Sequence, residues 1–74
     1  MEVYWVKEVN KAINPDGTEV RLVEELTEDE KFICYRVVAG KQGTRHYLSR
    51  PINSLIRAEM NFYGKCEDGA IIRK

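Results

Sequence analysis

The tetrad Asn14-Pro15-Asp16-Gly17 turns the chain back on itself near its start, and this narrows the available folds more than any other feature. Proline presets the backbone for the second position of a type I turn. Asp tolerates the third, and Gly accepts the left-handed conformation that follows. Such a turn joins antiparallel strands. Val3, Tyr4, Trp5 and Val6 before it are branched or aromatic, so Val3 to Ile13 reads as the first strand, with Val3, Trp5, Val9 and Ile13 alternating. Val6, Val9 and Ile13 fit a helical stripe as the competing pattern. Thr18 to Leu26 then runs back along it. A helix over Glu19 to Glu30 competes, because Leu22, Val23 and Leu26 share a helical face and Thr27-Glu28-Asp29-Glu30 matches a capping box. That helix would run into Ile33-Cys34-Tyr35-Arg36-Val37-Val38, which reads as strand. The acidic stretch is therefore expected to be a turn between strands.

Gly40-Lys41-Gln42-Gly43 marks a second hairpin, between Phe32–Ala39 and Thr44–Arg50. Pairing Gly40 with Gly43 sets Val37 opposite His46, Arg36 opposite Tyr47, Tyr35 opposite Leu48 and Cys34 opposite Ser49. Ile33, Tyr35, Val37, Ala39, His46 and Leu48 then form the core face, and Cys34, Arg36, Val38, Arg45, Tyr47 and Ser49 the other. After Pro51 the period changes. Ile52, Leu55, Ile56, Met60 and Tyr63 recur at helical spacing, with Ser49 or Arg50 as the cap and Gly64 as the stop. Glu67-Asp68-Gly69 is another turn, before a short last strand from Ala70 to Arg73. The expected fold class is α+β: one domain over residues 1–74, with an antiparallel sheet of four to five strands (two hairpins plus the last strand) and one late helix. An SH3-like β-barrel is the alternative. At 74 residues the core is small and stability is marginal.

Charge is segregated along the chain, although twelve bases and twelve acids cancel. Between Glu19 and Glu30 six carboxylates meet one base, Arg21. From Lys31 to Arg57 six bases occur with no carboxylate among them. Such blocks can gather into patches that steer a charged partner. The start of the chain lacks the basic residues and apolar run of a signal peptide, and no stretch approaches the roughly 20 apolar residues of a membrane span. A cytoplasmic location without membrane contact is the expectation. In that setting Cys34 and Cys66 are expected as free thiols.

Catalytic constellations are nearly absent. His46 is the sole histidine, and the two cysteines lack the close spacing of a metal or redox motif. The Gly40–Gly43 tetrad lacks the length and the Ser/Thr of a phosphate loop. A cysteine nucleophile needs a base within reach, and the expected register points Cys34 and His46 apart. No enzyme activity, metal or cofactor is expected. The remaining candidates are surfaces. Arg36, Lys41, Arg45, Tyr47 and Arg50 would line a basic and aromatic hairpin face. Its plainer reading is a cation–π pair on a solvated strand. Glu24, Glu25, Glu28, Asp29 and Glu30 would form an acidic surface; the plainer readings are a soluble turn, or neutralisation of the basic hairpin across the sheet. Trp5 suits an interface or the core.

The expected function is docking on a larger protein partner, as an inhibitor or accessory factor of the size that phage and mobile elements often encode. A nucleic-acid-binding domain built on the hairpin face is the alternative, and a homodimer through an exposed sheet edge is a third reading.

Overall fold

The computed structural model describes residues 5–44 and 46–73, with Trp5 described by its backbone alone. Val3 and Tyr4, expected in the first strand, lie outside these residues. The elements are β1 (Trp5–Ile13), β2 (Glu19–Leu26), β3 (Phe32–Gly40), β4 (Tyr47–Leu48), α1 (Leu55–Lys65) and β5 (Ile71–Arg73). All strand pairs are antiparallel, in the order β4-β3-β2-β1-β5. This is the α+β sheet with a late helix that the turn signals imply. It is open and does not close into a barrel.

The first turn forms as its residues dictate. Gly17 N–H donates to the Asn14 carbonyl at 2.9 Å, Gly17 takes a φ of 89°, and Asp16 Oδ1 accepts from the Thr18 N–H at 3.0 Å. The acidic segment divides between strand and turn. Glu24 and Glu25 belong to β2, and the reversal spans Thr27 to Lys31. The Thr27 hydroxyl accepts from the Lys31 N–H at 3.0 Å and donates to Asp29 Oδ1 at 2.6 Å, which stabilises a local turn in place of a helix start. In β1 the alternation breaks. A bulge between Glu8 and Asn10 lets Val9 pack on the core, while Ala12 is buried and Ile13 turns to the face away from the helix.

The second hairpin corrects the expected register. Ala39 pairs with Tyr47 and Val38 with Leu48, three residues off the expected pairing. The loop is longer than its glycines imply. Lys41 N–H donates to the Thr44 hydroxyl, that hydroxyl donates to the Lys41 carbonyl, and pairing resumes only at Tyr47. His46 sits directly against Gly40, where a Cβ would collide with its ring. An odd shift reverses the faces. Tyr47 moves to the helix side, and Leu48 to the other, where it is exposed. His46 is exposed as well and leaves the expected core face. Beyond β4 the chain follows the edge of β3. Ser49 bonds Val37 through both its N–H and its hydroxyl, and Ile52 exchanges two backbone bonds with Tyr35.

The helix also differs from its expected form. It starts at Leu55 with Ser54 as the cap, four residues past Arg50, because Ile52 is held in a β-bridge to Tyr35. Gly64 does not stop it; the helix ends at Lys65 with Cys66 as the cap. Its buried residues are Ala58 and Phe62, which join Ala12, Val20, Leu22, Val37 and Ala39 in the core. Ile56 and Met60 face out.

Candidate functional site

Of the five residues expected to form a basic face, the four described ones, Arg36, Lys41, Tyr47 and Arg50, do not come together. Arg36 is turned into the sheet surface: Nε lies 3.3 Å from Glu25 Oε1, and Nη1 donates to the Ser49 carbonyl at 2.9 Å. Both side chains of that ion pair are mostly covered. Tyr47 is on the opposite face, with Lys65 Nζ 3.9 Å above its ring. The stacking partner of Tyr47 is thus a helix lysine and not Arg36. Lys41 pairs with Asp16 at 3.5 Å across the two loops. Arg50 is exposed. Arg45 lies outside the described residues.

The acidic group is equally divided. Glu25 is bound to Arg36 and accepts from the Cys34 thiol at 3.1 Å, so it is part of a cross-strand network. Glu24 is half-buried on β2. Asp29 is held by Thr27 and Lys31. Glu28 and Glu30 are exposed, and Glu30 takes a φ of 63° in the turn. Elsewhere on the sheet Lys11 and Arg21 share Glu19 at 3.0 and 3.5 Å, and Arg21 reaches Glu8 at 3.7 Å. The two charge blocks of the sequence meet in two ion pairs, Arg36–Glu25 and Lys31–Asp29, and the other pairs draw on Glu8, Lys11, Asp16 and Arg21 outside or within the acidic block. Such exposed pairs contribute little stability each.

The reactive groups are separated. Cys34 and Cys66 are free thiols, one on the sheet face away from α1 and one at the end of α1 beside the core. Burial, followed by the hydrogen bond and charge of Glu25, pushes the Cys34 thiol above its ordinary range. Burial does the same at Cys66. Both are therefore held as protonated, weakly nucleophilic thiols. His46 borders a recess of about 340 Å³ with Glu19, Arg21, Val38, Gly40 and Gln42. No hydroxyl or thiol side chain lines it, and Glu19 is held by two cations. Among the described residues no group of His, Cys, Asp and Glu is arranged to hold a metal ion, and no helix is long and apolar enough to cross a membrane.

What the sequence reading missed is the outer face of α1. Ile56 is 72% exposed and Met60 70%. Leu55 and Tyr63, on one flank, are exposed to a lesser degree. Arg57 is on the other flank, beside a recess of about 350 Å³ formed with Pro51, Ile52, Asn53, Ser54 and Asn61. Asn61 Oδ1 is buried there without a hydrogen-bond partner among the described residues. The signal was present in the sequence. Ala58, Phe62 and Cys66 recur every four residues, a second stripe beside Ile56 and Met60. A helix lying close on a Val/Ala-rich sheet needs a small residue at its nearest point, and Ala58 supplies it. The bulkier aliphatic stripe is left in solvent.

In comparisons with known proteins, no family model, no curated protein and no solved structure matches this chain.

Proposed function

We propose that this chain is a non-catalytic docking domain that binds a larger protein, and that its contact surface is the outer face of α1. The observation that carries this reading is the exposure of Ile56 and Met60, side by side on the domain's helix. A small domain with few large side chains to bury gains from covering each one. Two large aliphatic residues left in solvent together mark a surface used by a partner. The partly buried Arg36–Glu25 pair and the displaced Tyr47 leave the hairpin without a stacking platform, so protein docking is the reading these observations favour. The domain acts as an inhibitor or accessory factor, through what it covers on its partner and not through chemistry of its own.

The test is affinity capture from the native host with the parent protein and with Ile56→Lys/Met60→Lys. Both positions are exposed, so the double variant keeps its fold. The expected result is a specific partner recovered with the parent and lost with the variant. Equal recovery by both would remove α1 as the contact surface.

A further inference from the structure

The basic block of the sequence divides in two once the chain folds. Lys31, Arg36 and Lys41 each pair with a carboxylate. Arg50 and Arg57 are exposed, and neither forms an ion pair among the described residues. Arg57 stands where a positive charge is least favoured. It is in the first turn of α1, which carries no acidic residue, at the end of the helix dipole that repels cations. Glu59, the first carboxylate after the block, points about 160° away from it around the helix. The position therefore carries a cost that no ion pair among the described residues offsets. Arg57 borders the recess of about 350 Å³ that the Pro51–Ser54 segment and Asn61 complete, and Arg50 immediately precedes Pro51. Around the helix from Arg57, Met60 follows at about 60° and Ile56 at about 100°. A polar recess with unneutralised positive charge thus adjoins the exposed aliphatic pair.

We infer that the partner of this domain presents an acidic segment to α1: an Asp or Glu side chain enters the recess beside Arg57, and a neighbouring apolar side chain covers Ile56 and Met60. The inference rests on reading the outer face of α1 as the contact surface, and it adds the chemistry of what lies on it. Its ground is charge complementarity. A carboxylate beside Arg57 is held by the guanidinium through two parallel N–H bonds and relieves the repulsion at the helix end. Arg50 adds a second cation at the approach. Asn61 Oδ1 lacks a hydrogen-bond partner among the described residues. Rotation of that amide toward the opening offers the oxygen to a main-chain N–H of the entering segment. The recess is concave, so a projecting side chain enters it and a flat lipid surface does not. The bases of a nucleic acid need rings to stack on, and Tyr63, the exposed ring of α1, lies about 120° around from Arg57. The outer edge of β5, with Ile71 and Ile72 exposed, is also open. Its backbone groups accept any extended segment, so that edge does not specify one.

Selection of random phage-displayed peptides on the immobilised full chain tests this, followed by fluorescence anisotropy with the recovered peptides made synthetically. The recovered peptides should carry Asp or Glu beside an aliphatic or aromatic residue. Raising salt from about 50 mM to about 500 mM should weaken their binding at least tenfold. Arg57→Glu should weaken it at least tenfold as well, and Arg57→Lys should retain most of it. In the free chain Arg57→Glu should raise the thermal midpoint followed by circular dichroism by a few degrees, because the variant removes a cation from the positive helix end. A residue that costs stability and supports binding is the expected signature. Recovery of no peptide, or of peptides without carboxylates, overturns the inference, as does undiminished binding by Arg57→Glu. A lowered midpoint in Arg57→Glu also counts against it, since Arg57 would then be held within the chain. Labelled oligothymidylate or phosphatidylserine vesicles that bind more tightly than the peptides, and lose binding with Arg57→Glu, would assign the cations to a different class of partner. Peptides without carboxylates that are nevertheless lost on Ile56→Lys/Met60→Lys would remove the acidic partner and leave the docking reading standing.

Discussion

Asn14 ties three segments together with one side chain. Its backbone shapes the β1–β2 turn, its Nδ2 donates to the Lys65 carbonyl at 3.1 Å, and its Oδ1 accepts from the Glu67 N–H at 2.9 Å. The first of these bonds caps the C-terminal end of α1, where carbonyls lack helical partners. The residue is 4% exposed, so its loss leaves polar groups of the helix end covered and unpaired. Asn14→Ala is expected to destabilise the domain by about 2–3 kcal/mol, read from urea unfolding. Asn14→Asp should fall in the same range, because a carboxylate cannot donate to Lys65 and is repelled by the negative helix end. An unchanged midpoint in both variants would show that the side chain is dispensable. The turn role of Asn14 is legible from its neighbours Pro15, Asp16 and Gly17. Its bonds to residues 51 and 53 positions away are not, because only the packing of α1 across the sheet brings them within reach.

At the scale of elements, α1 shows why periodicity left its orientation open. Leu55, Ile56, Met60 and Tyr63 make one apolar stripe, and Ala58, Phe62 and Cys66 make another. Hydropathy alone favours the first. The sheet beneath presents Val20, Leu22, Val37 and Ala39, and the helix fits over it with Ala58 at the closest point and Phe62 filling the remaining volume. The two stripes therefore respond differently to truncation. Phe62→Ala should cost about 3–5 kcal/mol, comparable to the whole stability of a domain this size, and should leave it largely unfolded at 37 °C. Met60→Ala should change stability by less than about 0.5 kcal/mol. Thermal unfolding followed by circular dichroism separates them; equal effects would place the wrong face of α1 against the sheet. The β3–β4 hairpin repeats the lesson. Its glycines reveal a turn, yet the pairing depends on Thr44 closing the loop on Lys41 and on His46 packing over Gly40. A shift by an odd number of residues was enough to send Tyr47 and Arg36 to opposite faces.

Over the whole molecule, charges drawn from Glu8 to Lys41 form ion pairs within one sheet and its loops, and two of those pairs join the acidic block to the basic one. Asp16, Glu19 and Asp29 each titrate below their ordinary values. The Thr18 backbone N–H and then its hydroxyl, with Lys41, hold Asp16 down. Hydrogen bonding and charge from Lys11, with Arg21, do so for Glu19. The Thr27 hydroxyl leads at Asp29. A carboxyl group lowered by folding binds its proton more readily in the unfolded chain. Its stabilisation is fully present above the ordinary value and is lost as pH falls through the folded one. Stability should therefore hold down to about pH 5 and decline below the ordinary values of 4.5 for Glu and 3.8 for Asp. The groups are exposed, so the decline should be shallow and should shrink in high salt. Urea midpoints from pH 7 to pH 3 at two salt concentrations read it out. A midpoint that rises as acid is added would contradict the pairing.

What the amino-acid order determined by itself was local: where the chain turns, which stretches extend, and that one helix comes late. Proline, left-handed glycine and β-branched runs act through a few neighbouring bonds, so they carry the same meaning in any surroundings. Tertiary structure alone decided which stripe of α1 is buried, which residues face each other across β3 and β4, and that Arg36 is spent on Glu25. Those outcomes depend on the volume above a sheet and on the parity of a loop, quantities that exist only once distant segments meet.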